Sequence, residues 1–207
     1  MKKISLSIIV LLIIPLAHGF YPENYEQSRQ HFRELGEKLK ETFPDLQIRA
    51  VKIPTQTEAD LTTDTIYIPQ RSPKKDRLLI ITSGIHGVEA FTGSAIQSQF
   101  LEEQLDKEWL KNTGILVVHA VNPYGFHFKR RVSENNVDLN RNFSANENNF
   151  QSKNEAYSRL KNFLNPLAPL TSNVWSDMKL FARSLILLVQ YGKKDLTQAV
   201  VGGQYQY

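Results

Sequence analysis

Two short runs without a polar residue, Leu78-Leu79-Ile80-Ile81 and Ile115-Leu116-Val117-Val118, constrain this chain more than any other feature. Four consecutive apolar residues leave no polar face, so each run reads as a strand covered on both sides. Between them, the stretch from about Phe91 to Leu105 reads as a helix. Strand, helix, strand at that spacing is one βαβ unit, which places the two strands side by side and parallel. The fold class is therefore α/β, with a sheet covered by helices. Ligands of such sheets gather beyond the C-terminal ends of the strands.

The flanking segments fit the same class. From Pro22 to Phe43, Tyr25, Phe32, Leu35, Leu39 and Phe43 recur at spacings of three, four and seven, an amphipathic helix that Pro44 ends. Gln47 to Ile53 and Leu61 to Ile68 read as strands, each closed by a proline. Arg71 to Asp76 reads as a charged loop, and the asparagine-rich stretch Ser144 to Asn154 as an exposed one. Helices are expected over Glu155–Leu164 and Val174–Tyr191, with Pro166 and Pro169 between them and Gly192 as the stop. No internal repeat and no long linker divides the chain.

The first residues form a separate signal. Met1-Lys2-Lys3 is a basic start, Ile4 to Leu16 is apolar, and Ala17-His18-Gly19 supplies small residues where a leader is cut. Residues 1–19 are expected to be a signal peptide, and the protein to be exported, periplasmic or secreted. The apolar run is too short for a comfortable bilayer span, so no stable membrane span is expected after cleavage. Without Lys2 and Lys3 the Lys+Arg count falls from 25 to 23 against 21 acids, a net charge near +2. No basic stripe accompanies it, which argues against nucleic acid as a partner. The absence of cysteine excludes disulfides, thiolate catalysis and cysteine zinc sites. Any metal must be held by His, Asp or Glu, and the mature chain has four histidines: His31, His86, His119 and His127.

His86-Gly87-Val88-Glu89 follows the first apolar strand, and an imidazole and a carboxylate three residues apart can reach one cation. His31 and Glu34 share that spacing but sit inside the amphipathic helix, where a solvated face explains them. Gly84 and Gly87 beside His86 permit a close approach of the backbone. His119 ends an apolar strand and reads as a core histidine, and His127 as an exposed loop residue. Asn122-Pro123-Tyr124-Gly125 is a turn by composition. Lys129-Arg130-Arg131 follows it, then Val137-Asp138-Leu139-Asn140-Arg141-Asn142-Phe143, so that two guanidiniums ten residues apart suggest donors converging on one anion. A serine hydrolase reading fails because no Gly-x-Ser-x-Gly elbow exists; Ser94 follows Gly93 without the second glycine.

His-x-x-Glu after one strand, Asn-Pro-x-Gly after the next, and an arginine ten residues before that of Asp-Leu-Asn-Arg-Asn-Phe together resemble the zinc carboxypeptidases. Their deacylase relatives, aspartoacylase and succinylglutamate desuccinylase, share the core. Ser83 to Glu89 and the end Gly202-Gly203-Gln204-Tyr205-Gln206-Tyr207 resemble an uncharacterised bacterial branch of that superfamily. The resemblance runs from about Tyr25 to the last residue. It implies a three-layer sandwich with a mostly parallel mixed sheet, the phosphorylase/hydrolase-like zinc carboxypeptidase core, with residues 20–207 forming the N-terminal part of a single domain.

By the same resemblance, His86 and Glu89 are two ligands of a Zn2+ ion. Arg131 is the catalytic arginine that stabilises the oxyanion, with Arg130 as the fallback. Asn140 and Arg141 grip the substrate's free carboxylate. The family's third zinc ligand, a histidine, and its general-base glutamate are expected beyond residue 207, so the chain is expected to be truncated and inactive as it stands. The implied activity is hydrolysis of an amide next to a free carboxylate, in a small peptide or an N-acyl amino acid. The alternative is a non-catalytic carboxylate-binding module using Arg131, Asn140 and Arg141 without a metal.

Overall fold

A computed structural model describes residues 19–72, 77–105, 107–144, 146, 153–166 and 173–203. The expected leader apart from Gly19, most of the Arg71–Asp76 and Ser144–Asn154 loops, Pro169 and the last four residues lie outside these. Helix α1 spans Tyr25–Lys40, followed by strands β1 (Gln47–Lys52), β2 (Thr62–Ile68) and β3 (Leu78–Thr82). Helix α2 (Ala90–Gln99) runs on into a π-helical turn, Phe100–Gln104, before strand β4 (Gly114–His119). Short helix α3 (Pro123–His127), a 3-10 turn at Leu139–Arg141, α4 (Glu155–Leu164) and α5 (Val174–Val201) complete the chain.

The start of α1 is set locally. Asn24 accepts a hydrogen bond from the Gln27 N–H, Glu26 lies in the first turn, and Lys38 and Lys40 occupy the last. Each placement satisfies or complements the unpaired ends of the helix. Its apolar stripe buries Phe32 and Leu35 against Ile66 and Ile68 of β2 and Ile115 and Val117 of β4.

The sheet order is β1-β2-β4-β3, with β3 parallel to β4 and the other two ladders antiparallel. The two apolar runs are thus adjacent and parallel, as their composition implied. Their burial differs. Ile115 and Val117 of β4 are buried, whereas β3 lies at the sheet edge with Leu78, Leu79 and Ile80 at 51%, 40% and 54% exposure. The expectation that both runs are covered on both faces fails for β3. An all-apolar strand can be covered on both sides, but its sequence does not provide the layer that covers it. Among the described residues the covering helices pack on one face, the face of Leu79 and Ile81. Leu78 and Ile80 point from the other.

Helices α4 and α5 pack on each other around their own cluster, Ala156, Tyr157, Leu160 and Ala199. The expected stop at Gly192 is a kink: φ is 74° and ψ is 164°, after which the helix resumes to Val201. Among the described residues no helix is long and apolar enough to cross a membrane.

Beneath α1 lies a buried polar network. The Asp64 carboxylate accepts hydrogen bonds from Arg33 Nε at 2.6 Å and Nη2 at 3.1 Å, and Arg33 Nη2 also reaches Thr62 Oγ1. His119 Nε2 lies 2.8 Å from Ser28 Oγ, its ring stacks on Phe32, and its buried Nδ1 has no partner among the described residues. Burial pushes the His119 pKa down to about 4, against the opposing charge of Asp64 and with help from Arg29 and Arg33. A buried neutral histidine stabilises the fold above its unfolded pKa of about 6.5, and that contribution is lost as pH falls towards 4. The stability advantage of wild type over His119→Phe is expected to shrink by about 3 kcal/mol between pH 7 and pH 4. Paired denaturant titrations at the two pH values measure this, and parallel curves would remove the assignment.

Candidate metal and carboxylate site

The site is built where β3 and β4 end. Beyond Thr82 the two chains stay in register: Ser83 N donates to Val118 O, Val121 N to Ser83 O, and Asn122 N to Gly84 O. Gly84 takes φ +71°, a conformation a side chain would strain. From α2, the Gln97 amide donates to Ile81 O and Val118 O and accepts from Ser83 Oγ, clamping both strand ends. The loops then touch backbone to backbone. A Cβ on Gly87 would stand 1.8 Å from the Gly125 carbonyl carbon, so the two loop motifs meet there only because residue 87 is glycine.

Asn122 makes the second loop rigid. Its Oδ1 accepts from Gly125 N at 2.9 Å and its Nδ2 donates to Arg131 O at 3.4 Å. Pro123 at the first position of α3 needs no partner for a missing N–H. This path delivers Arg131 beside His86.

Four side chains converge. His86 Nδ1 lies 3.1 Å from Glu89 Oε1, and His86 Nε2 lies 3.1 Å from Asp138 Oδ1. Arg131 Nε donates to Asp138 Oδ2 at 3.2 Å, and its Nη1 lies 3.5 Å from Glu89 Oε1. Of the residues expected from sequence, His86, Glu89 and Arg131 are therefore brought together. Arg130 is directed elsewhere, over the Tyr124 ring and onto Asn136 Oδ1. Asn140 and Arg141 form the adjacent 3-10 turn, where the Arg141 guanidinium meets the Asn140 carbonyl. Among the described residues Arg131 and Arg141 share no acceptor. His31 stacks on Phe20 and faces Glu102 at 3.9 Å, while His127 pairs with Glu26, so neither joins the site.

Sequence reasoning missed Asp138. It holds His86, Arg131 and the Asn140 N–H at once, and its own carbonyl accepts from Asn142. Burial alone would push its carboxyl up. The His86 and Asn140 hydrogen bonds and the Arg131 charge outweigh that and hold it below the usual value. The available signal was its place at the head of the Asp-Leu-Asn-Arg stretch.

The donor set fits a cation at one point. A neutral imidazole has a single N–H. If that N–H serves Asp138, the Nδ1 lone pair faces a carboxylate oxygen, and two acceptors 3.1 Å apart need a proton or a metal ion between them. Ligands at ~2.0–2.2 Å from one zinc ion are separated by a little over 3 Å, as observed here. Asp138 meets the opposite edge of the ring, the position of a carboxylate that orients a metal-bound histidine. For the same reason Asp138 cannot be the third ligand. Among the described residues no group of three His, Asp or Glu side chains could hold a metal ion.

Residues 21–207 match the family described as "Protein of unknown function (DUF2817)". The chain belongs to this family. The match agrees with the bacterial branch that the motifs of this DUF2817 chain resembled. No curated protein matches it. Among solved structures it is similar to one assigned as a carboxypeptidase A from Shewanella denitrificans OS-217, with 15% identity, 56% of this chain covered and a TM-score of 0.42. It is similar to thrombin activatable fibrinolysis inhibitor, with 19% identity, 58% covered and a TM-score of 0.39. A structure assigned as a metallopeptidase from Shewanella baltica OS155 gives 18% identity, 78% covered and a TM-score of 0.42. The chain spans 31%, 35% and 50% of the lengths of these three structures.

Proposed function

We propose that this chain carries the cation- and carboxylate-binding part of a metal-dependent amide hydrolase of the zinc carboxypeptidase type. The observation that supports it best is His86 held between Glu89 and Asp138 at 3.1 Å on each side. His86 Nδ1 and Glu89 would hold the ion, and Asp138 would fix the ring that presents it. Zinc bound there would polarise the scissile carbonyl and lower the pKa of water. Arg131, anchored through Nε on Asp138, would place its terminal N–H groups where oxyanion charge develops once Glu89 is engaged. Asn140 and Arg141 on the next turn would hold the substrate's carboxylate and orient the bond to be cut. The substrate is a small peptide or an N-acyl amino acid, met outside the cytoplasm if residues 1–19 direct export.

Catalytic zinc sites use three protein ligands, and this reading names two, His86 and Glu89. Calorimetric zinc titration of the 207-residue chain is expected to show weak binding that His86→Ala abolishes. Asp138→Asn should lower the affinity about 10- to 100-fold, as loss of a supporting carboxylate does. The same chain should not cleave C-terminal or N-acyl amide substrates. Stoichiometric tight binding lost on His119→Ala or His127→Ala would overturn the ligand assignment.

The same geometry supports a second reading, a carboxylate-binding module without a metal, because the third ligand is missing among the described residues. Binding of an N-acyl amino acid that persists in chelator and is lost on Arg141→Ala would favour it.

A further inference from the structure

We infer that the cleft between the end of β1 and the loop carrying Arg131 takes an aliphatic ammonium group, the side chain of a lysine-like residue in the substrate. That the ligand is substrate rests on the proposed function; the chemistry of the cleft does not. Its volume is about 190 Å³. Ile53, Pro54, Val121, Pro123, Tyr124 and Leu139 supply apolar walls, and Glu134 is the single charged residue among the ten that line it. At ~30 Å³ for each water-sized group that volume holds about six, and a lysine side chain has five heavy atoms. Ile53 and Pro54 follow β1, at the opposite end of the sheet from β3, so the cleft is not part of the apolar surface left uncovered there.

The carboxylate is fixed but not neutralised. Glu134 Oε1 accepts from Thr55 Oγ1 at 3.2 Å and from Gln56 N at 3.1 Å, while Oε2 has only a longer share of the same Gln56 N–H, at 3.3 Å. Among the described residues its hydrogen-bond partners are thus uncharged, and Oε2 keeps most of its acceptor capacity. A carboxylate beside apolar walls is stabilised by a cation. Arg130 is not that cation, because its guanidinium lies over the Tyr124 ring and donates to Asn136 Oδ1. A ligand guanidinium suits the cleft poorly, since its fork needs both carboxylate oxygens and Oε1 already has two donors. A single ammonium on a slender apolar stem meets both the open oxygen and the walls. The cleft also borders the candidate site. Asn122, in its wall, donates to Arg131 O, and Leu139 opens the turn that carries Asn140 and Arg141. Neighbouring Cα atoms are ~3.8 Å apart, so a residue held by its carboxylate on that turn can reach Leu139 with a long side chain.

The test is ligand titration of the 207-residue chain in chelator, followed by two-dimensional NMR. Nα-acetyl-lysine should bind about 10-fold more tightly than Nα-acetyl-norleucine, which has the stem without the charge; that is the ratio expected for one hydrogen bond to an ion. Glu134→Gln keeps an acceptor for the Gln56 N–H and should abolish the preference while leaving the affinity for Nα-acetyl-norleucine unchanged. Asn135→Lys, at an exposed residue lining the same cleft, supplies an ammonium from the chain itself and should have the same effect. Pentylamine carries no carboxylate, so its binding should need Glu134 and survive Arg141→Ala. If pentylamine behaves so and neither acetylated amino acid binds, the proposed function fails and the ligand class of the cleft stands. Equal affinity for the lysine and norleucine derivatives, or a preference that survives Glu134→Gln, overturns the inference.

Discussion

Gly87→Ala is expected to destabilise the protein by at least ~3 kcal/mol, the upper range for forcing atoms into packed space. The new Cβ would meet the Gly125 carbonyl carbon at 1.8 Å, its oxygen at 2.2 Å and Phe126 N at 2.2 Å. All three are backbone atoms, so no side chain can rotate aside. The His86 loop and the Asn122–Gly125 turn must separate, and His86 then leaves Asp138. The apparent melting temperature should fall by about 6–12 °C. Gly114→Ala is the matched control, since the atoms nearest its Cβ would be Tyr67 Cε2 and hydroxyl oxygen at 3.4 Å and Leu78 Cδ1 at 3.5 Å, all ordinary contact distances. A Gly87→Ala protein within ~0.5 kcal/mol of wild type, the usual effect of a neutral surface change, would show that the two loops do not touch.

Arg33→Met is expected to cost about 3–5 kcal/mol, because it strands a carboxylate inside the protein. Asp64 is fully buried, and Arg33 supplies two of its hydrogen bonds while remaining 40% exposed. The pair is therefore asymmetric. Asp64→Ala leaves a guanidinium that can turn to water and should cost less. The double variant Arg33→Met with Asp64→Leu should recover much of the loss, since an apolar pair of similar volume pays no desolvation. Equal costs for the two single variants, read from urea midpoints, would contradict this account.

The parts of the fold that sequence reveals are those with a local physical cause. The stripe from Tyr25 to Leu39 needs only helical periodicity, and α1 is found there. The apolar runs reveal two parallel neighbours because a connecting helix leaves few other arrangements. The exposure of β3 was not legible, since it depends on what lies against the strand rather than on the strand. Gly192 reads as a helix end because glycine commonly follows the last turn, but the structure places it at a kink: a single glycine redirects a helix as readily as it stops one. In the site, His86 and Glu89 stand out by their place after an apolar strand beside Gly84 and Gly87, since His31 and Glu34 share the spacing. The choice of Arg131 over Arg130 depends on which guanidinium the turn aims at Asp138, which adjacency in sequence leaves open. Asp138 was hidden for a related reason: a carboxylate beside an Asn-Arg pair looks like a turn former, and only the 52-residue return to His86 gives it a second task.

The placement of β3 also determines how firmly the site is held. Among the described residues β3 is joined to the sheet by the β4 ladder alone, and it delivers the loop that carries His86 and Glu89. Edge strands open with less free energy than the strands they border, so this loop belongs to the part of the sheet that frays first. Its amides at Leu79 and Ile81 should therefore exchange with solvent sooner than those of Ile115 and Val117 in β4. A ligand that pins His86 against Asp138 ties the fraying strand to a loop beyond β4, and part of its binding free energy goes into keeping the strand closed. In this chain ligand affinity and edge-strand attachment are two readings of one equilibrium.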